Sequence, residues 1–512
     1  MNARENSEVL VAVLATVTLV GLEIWLCGAG VAFSQPLWLD EIHTVLVAGR
    51  QGLIASMKSL GAGADFNPPA LFLIYRGIGT LAGGLSEVTL RAVAFASVVA
   101  TIPLVYALLR DGFDGIGSAI GAFVVWTNSV VVTEAFDARF YGPWLLAAVS
   151  LAELVRRQMR GGPSVLRSVA IAVISIVICT IHYFGFLSWI GVVGTTWIVS
   201  DASRRDRIRR LLPAVFGPVA LALCLPLYLG QRAALTTATW IPDLSFGGVL
   251  FLFVAALLSP SIAAAVIGYV ASVLARRRGV GNSDASVDDP FALGPALLLG
   301  QVIVPVALGI FSMAVQPAMQ PRYTIVAALC GAPIVAACYS RMLSGFRVLT
   351  VCVVGATSIM LVRDAGESAR QRVRLHKRDM DQVIAIAARD STVVVRRRHT
   401  LYPVLRDRPE LGRWAVLFDQ TSTAPNDRFA IVERDVARVH ERLYGFPHLV
   451  TRADLDRERA FYFLEADSTR APTRREFPGR RIERISGRLF LIQRECDPPQ
   501  TREAMDSSAT RC

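Results

Sequence analysis

Four polar stretches of the 512-residue chain hold the residues able to do chemistry: Asp40, Glu41, Asp65 and Asn67 in one; Glu134, Asp137, Arg139 and Tyr141 in the next; then His182-Tyr183; then Arg322-Tyr323. All lie at the ends of long apolar runs, on what the reading below makes one face of a membrane. Ionisable groups at that depth are expensive and face a cavity or pathway. Carboxylates from two of these stretches and arginines from two can converge on one outward-facing cleft. A positioned carboxylate can accept a proton, and an arginine offers paired N–H donors to an oxyanion.

Each residue also has a purely structural reading. Asp40 suits the N-cap of a helix starting at Glu41, and on that helix Glu41 points about 100° away from it. Asn67-Pro68-Pro69 suits a simple turn. His182 suits an interfacial histidine held by a backbone carbonyl, and Arg139 and Arg322 suit side chains reaching up to lipid headgroups. The arrangement on one face is more specific than any single residue.

The elements that must position them are membrane spans. Hydrophobic residues make up 53% of the chain, more than a soluble domain carries, and they are not interleaved with polar ones. Eleven spans are predicted, near 9–33, 89–109, 115–132, 141–156, 167–183, 184–200, 211–230, 248–274, 291–314, 323–340 and 347–363, each close to the roughly 20 residues that cross hydrocarbon. With the N-terminus cytoplasmic, the inner loops hold 16 Lys or Arg and the outer loops seven, the asymmetry expected of an inward-facing positive side. Span one reads as an uncleaved anchor, because no small-x-small cleavage site follows it. The first outer loop, 34–91, is long, and Ile42–Leu60 carries apolar residues at helical spacing.

The composition breaks near Arg363. Residues 363–512 hold 53 of the 94 charged residues. This predicts two domains: 1–363 in the membrane and 364–512 as a small soluble α/β domain. An odd span count places the second domain outside. Its strands are expected at 392–395, 414–418, 429–432, 461–464 and 489–492, with a helix at 436–444. It shows no catalytic motif. The net charge of +12 is explained by inter-span arginines rather than by nucleic acid. The eight cysteines form no C-x-x-C pair, so they read as small packing residues.

Leu37-Trp38-Leu39-Asp40-Glu41, then Asn67-Pro68-Pro69-Ala70-Leu71-Phe72, then Ala138-Arg139-Phe140-Tyr141 resemble the GT-C superfamily of membrane glycosyltransferases. The likeness is to the protein O-mannosyltransferase and lipid A aminoarabinose transferase group, including bacterial proteins with a family 39 or RgtA/B/C/D-like domain. His182-Tyr183-Phe184-Gly185 and Pro321-Arg322-Tyr323 are similar to later landmarks of that group. The resemblance spans about residues 9–340.

The resemblance implies a fold and an activity: a monosaccharide moved from a polyprenyl-phosphate donor to a hydroxyl of an envelope glycan, lipid or protein on the outer face of a bacterial inner membrane. It implies Asp40, with Glu41 beside it, as the catalytic carboxylate. Arg139, Arg322, Tyr323 and His182 are the implied donor-phosphate ligands, and Tyr141, Asp65 and Asn67 the implied substrate contacts. Some relatives bind a divalent cation through loop carboxylates, for which Asp40, Glu134 and Asp137 are the candidates here. Many have a His where this chain has Asn67, so metal use stays open. The rival reading is a transporter or flippase, whose charges would sit mid-span in repeated halves. No such repeat is visible.

Overall fold

The structure, a computed structural model, describes residues 33, 37–50, 52–234, 241, 245–257, 259–277, 292–422, 427–465 and 471–494. The first expected span lies outside these residues except for Phe33. The polar segment after it is helical: α1 (Leu39–Ala48), α2 (Leu53–Gly61) and α3 (Ala70–Ala82). The amphipathic stretch Ile42–Leu60 is therefore two helices, parted between Gly49 and Gly52. Gly52 sits at φ 87°, which glycine adopts without a Cβ penalty.

The bundle follows as α4 (Glu87–Leu109), α5 (Gly115–Trp126), α6 (Ser129–Glu134), α7 (Tyr141–Gly161), α8 (Val165–Ile181), α9 (Gly185–Val199) and α10 (Arg204–Ala233). Then come α11 (Phe246–Leu257), α12 (Pro260–Arg277), α13 (Leu293–Ala314), α14 (Pro321–Ser340) and α15 (Ser344–Ala387). Among the described residues, α4, α10, α13, α14 and α15 are long and apolar enough to cross a membrane. Val165, Ile198, Leu223 and Phe251 are 70–83% exposed on the outside of the bundle. Apolar surface of that extent belongs against lipid rather than water. The chain is an integral membrane protein. Inside the bundle small residues allow close approach: a Cβ on Gly121 would stand 2.6 Å from the Ala332 carbonyl of α14.

Local chemistry breaks two of the expected spans. The span at 248–274 is two helices, α11 and α12. Pro260 brings no N–H for a continuing helix, and the Ser259 hydroxyl accepts from Ile262 N–H at 3.3 Å instead. The span at 115–132 stops at Trp126, because the Asn128 side chain caps α6 by accepting from Val130 N–H at 3.0 Å.

The break in composition at Arg363 is not a linker. It falls inside α15, a 44-residue helix about 66 Å long at 1.5 Å per residue. The far end of α15 packs Val383 and Ala387 into the core of the C-terminal domain. That domain is a six-stranded mixed sheet in the order β3-β2-β1-β4-β6-β5. The strands are β1 (Val393–Val395), β2 (Ala415–Phe418), β3 (Leu449–Val450), β4 (Ala460–Leu464), β5 (Arg480–Ser486) and β6 (Leu489–Arg494). β1 runs parallel to β2 and β4, and β6 antiparallel to β4 and β5. β1 is buried throughout, as a central strand covered on both faces must be. Helices α16 (Arg398–Asp407) and α17 (Arg428–Tyr444) complete the domain. The strand expected at 429–432 is the first turn of α17. A four-residue apolar run fits either element, and here Val432, Val436 and Val439 recur at helical spacing. β3 and β5 were not expected. One is two residues long, and the other carries charge on most of its positions.

The domain is seated on the segment of helices α1 to α3 and the start of α4. Arg406 pairs with Glu87 at 2.5 Å. Arg50 donates to the Leu443 carbonyl at 2.8 Å, and His440 Nε2 donates to the Ala64 carbonyl at 2.8 Å. His440 is fully buried, which lowers its pKa to about 3, so the ring is neutral in this contact.

Candidate active site

The geometry starts at the N-terminus of α1, where two adjacent carboxylates part. Glu41 turns inward and is wholly buried. It accepts from Trp38 N–H at 3.0 Å, Ala138 N–H at 2.7 Å and Arg91 Nη2 at 2.7 Å. Both side chains of the Glu41–Arg91 pair are 0% exposed. Glu41 reaches neither cavity described below. Helical geometry turns it about 100° away from Asp40, and Arg91 pairs with it between the first loop and α4.

Asp40 faces the other way, into open space, with its side chain 25% exposed and one Oδ2 3.5 Å from Arg322 Nη1. Arg322 is held in turn by Gln320, whose Oε1 accepts from its Nε at 2.8 Å, and its guanidinium lies 5.5 Å from the Trp38 and Tyr323 ring centres. Arg139 lies behind this pair. Its Nη1 donates to the Asp40 carbonyl and to Thr44 Oγ1, both at 2.8 Å, and to Asp65 Oδ2 at 2.7 Å. Its buried Nε has no hydrogen-bond partner among the described residues. Asp65 is occupied by this ion pair and by Asn67, which donates from its backbone N at 3.0 Å and from Nδ2 at 2.6 Å. The Asn67 carbonyl accepts from Gln231 Nε2 at 3.0 Å, and Gln231 Oε1 accepts from Tyr183 at 2.6 Å. The Asn-Pro-Pro turn is thus tied to the outer end of α10.

Two cavities meet at Asp40 and Arg322. The inner one, about 540 Å³, is lined by Asp40, Asp65, Asn67, Arg139, His182, Arg322 and Tyr323 at its polar end and by Leu221, Leu225, Tyr228, Phe311 and Pro317 at its apolar end. The outer one, about 610 Å³, is lined by Trp38, Asp40, Asp137 and Arg322 below and by His376, Arg397, Arg398, His399 and Glu433 above. His182 stacks on Phe140 at 4.1 Å and accepts from Phe184 N–H at 3.2 Å through Nδ1, leaving Nε2 as its donor.

The structure therefore brings together Asp40, Arg139, Arg322, Tyr323, His182, Asp65 and Asn67. Tyr141 is 1% exposed and lines neither cavity; its ring packs 4.4 Å from Phe140, a position set by being the first residue of α7. Asp137 lines the outer cavity, whereas Glu134, the last residue of α6, lines neither. Asp40, Glu134 and Asp137 do not assemble as a metal site. Among the described residues, no three His, Cys, Asp or Glu side chains gather as ligands.

Sequence reasoning missed the C-terminal domain's share of the site. Arg397, Arg398 and His399 follow the carboxyl end of β1 and open α16. The available signal was an arginine run directly behind an apolar strand, where α/β folds place ligand sites. His43 was missed as well. It lines the inner cavity, and burial together with the neighbouring His440 ring holds its pKa well below the usual value.

No family model matches the chain, and no curated protein matches it in sequence. Solved structures do. The crystal structure of ArnT from Cupriavidus metallidurans in the apo state aligns with a TM-score of 0.54 and 12% identity over 95% of this chain and 100% of that one. The same protein bound to undecaprenyl phosphate aligns with a TM-score of 0.54 and 12% identity over 94% and 99%. The archaeal oligosaccharyltransferase AglB from Archaeoglobus fulgidus gives a TM-score of 0.47 at 11% identity over 90% of this chain and 69% of that one. Over most of its length, this chain is similar in fold to ArnT, a GT-C membrane glycosyltransferase.

Proposed function

We propose that this protein is a membrane glycosyltransferase that moves a monosaccharide from a polyprenyl-phosphate donor to a hydroxyl of an envelope glycan, lipid or protein on the outer face of a bacterial inner membrane. The observation that carries the reading is the placement of Asp40 and Arg322, 3.5 Å apart, in the lining of both cavities. The undecaprenyl phosphate bound by ArnT supplies the matching ligand chemistry.

The inner cavity suits the donor. Its apolar end, with Leu221, Leu225 and Phe311, takes the first isoprene units. Its polar end presents Arg322 and the unpartnered Arg139 Nε to the phosphate. Arginine's planar fork fits phosphate oxygens as lysine cannot. Tyr323 and His182 Nε2 stand at the same end as further donors. The acceptor enters from the outer cavity. Its hydroxyl oxygen attacks the anomeric carbon while its proton passes to the Asp40 carboxylate. The bond from the anomeric carbon to the phosphate oxygen breaks, and polyprenyl phosphate leaves with the electron pair. The oxocarbenium-like transition state is stabilised by the nearby carboxylate. One displacement inverts the anomeric centre. The donor phosphate also competes with Asp40 for Arg322, which frees the carboxylate to act as a base once the donor is bound.

The C-terminal domain faces the same side as the cleft, outside the membrane, and the N-terminus lies in the cytoplasm. The test uses purified protein in nanodiscs with a panel of undecaprenyl-phosphate sugars and an envelope extract as acceptor. One sugar of the panel is expected to be transferred, with Asp40→Asn retaining donor binding and losing transfer about 10²–10⁴-fold. Transfer by Asp40→Asn at the wild-type rate would remove the carboxylate from the mechanism. Transport of a lipid-linked sugar without transfer would replace the reading altogether.

A further inference from the structure

The roof of the outer cavity is basic and built. Arg398 is the first residue of α16, its side chain is 5% exposed, and it lines both cavities. Its Nη2 donates to Glu433 Oε1 at 2.9 Å. Its Nε and Nη1 are buried and have no hydrogen-bond partner among the described residues. A buried guanidinium with two open donors costs free energy unless something occupies them. Two further features place positive charge on the same spot. The N-terminus of α16 has no side-chain cap, so its free N–H groups and the helix dipole point outward from that end. Arg397, exposed beside Arg398, makes no ion pair among the described residues. Both histidines on the cavity wall are held neutral, each with a pKa lowered to about 4: His399 by burial and then by Arg397, His376 by burial and then by Arg488. Of the acidic neighbours, Asp379 pairs with Arg488, Asp40 with Arg322 and Glu433 with Arg398 through Oε1; Glu433 Oε2 is buried without a hydrogen bond among the described residues, and Asp137 also lines the cavity.

We infer that Arg398, with Arg397 and the N-terminus of α16, recognises an oxyanion carried by the acceptor, a uronate carboxylate or a sugar phosphate, and so sets acceptor specificity. The inference rests on the reading of the outer cavity as the acceptor's entrance. Nε–H and Nη1–H leave different edges of the guanidinium, so a carboxylate or phosphate oxygen accepts from one of them in a charge-assisted hydrogen bond. Arg398 touches the bound acceptor away from the reacting hydroxyl and is a specificity residue rather than a catalytic one.

The experiment is calorimetric titration of the full chain in nanodiscs, with undecaprenyl phosphate saturating the inner cavity. The ligands are octyl β-D-glucuronide, octyl β-D-glucoside 6-phosphate and neutral octyl β-D-glucoside. At least one anionic ligand is expected to bind about ten- to a hundredfold more tightly than the neutral one, the range of a hydrogen-bonded charge pair. Which anionic ligand gains separates a carboxylate site from a phosphate site. Arg398→Gln alone leaves Glu433 buried without its cation, so the variant to compare is the pair Arg398→Gln, Glu433→Gln. It should lose the discrimination while still binding undecaprenyl phosphate. Arg397→Gln, at an exposed position, should lose part of it with an unchanged melt. Equal affinities in the wild type, or discrimination that survives in the double variant, would overturn the inference. Failure of undecaprenyl phosphate to bind, with the anion preference intact, would instead overturn the donor reading and leave the oxyanion site standing.

Discussion

Glu41→Gln tests whether the two adjacent carboxylates have separate jobs. The glutamine keeps the shape and still offers one acceptor to Ala138 N–H or Trp38 N–H. It removes the charge that meets Arg91 Nη2 at 2.7 Å with both side chains 0% exposed. Breaking a buried pair by neutralising one partner costs about 3–5 kcal/mol, because the remaining ion is left uncompensated. At roughly 2 °C per kcal/mol for a large domain, the melting temperature of the purified protein should fall by at least about 6 °C. The folded fraction should keep its affinity for undecaprenyl phosphate. Replacing the pair together, Glu41→Leu with Arg91→Leu, should recover much of the loss, since no charge stays buried. The assay is a thermal melt in detergent with a lipid-binding titration on the same sample. A Glu41→Gln protein that melts like wild type but does not transfer sugar would refute the assignment and return Glu41 to the chemistry.

Arg322→Lys should bind undecaprenyl phosphate more weakly and Arg322→Ala more weakly still, because lysine keeps the charge but not the fork; unchanged affinity in Arg322→Ala would move the phosphate to Arg139. Acid should loosen the seat of the C-terminal domain. The folded pKa of His440 lies near 3, below the unfolded value of about 6.5, so the unfolded chain binds more protons in between and stability falls as pH drops from about 6.5 toward 3. Melts at pH 7 and pH 5 should show the loss, and His440→Gln should flatten it. A cysteine at the exposed position of Glu458 should react with an impermeant maleimide in spheroplasts; labelling only after lysis would invert the orientation.

Much of the site was legible because its residues flank apolar runs, a pattern that needs no tertiary information. Asp40, Arg139 and Arg322 were found that way. What escaped depends on direction and on contacts distant in sequence. Asp40 and Glu41 are indistinguishable as residue types, and only the helix that begins at Leu39 separates them, with Arg91, fifty positions on, fixing which one is buried. Tyr141 shares its motif with Arg139, yet the start of α7 turns it into packing. Arg398 was invisible for a different reason: its meaning arises from a helix of one domain being set over a loop of the other, joined through His440 and Ala64. Several membrane-length apolar helices were readable as such, but the interruptions at Asn128 and Pro260 are single-residue effects inside otherwise apolar windows.

The most direct test is a cryo-EM structure of Asp40→Asn in nanodiscs with an undecaprenyl-phosphate sugar trapped in the site. The account requires the phosphate within hydrogen-bonding distance, about 2.7–3.1 Å, of Arg322 and the prenyl chain along Leu221, Leu225 and Phe311. It also requires the sugar at the junction of the two cavities, with its anomeric carbon facing residue 40. Donor density on another face of the bundle, or a sugar held with its anomeric carbon turned away from residue 40, would contradict it.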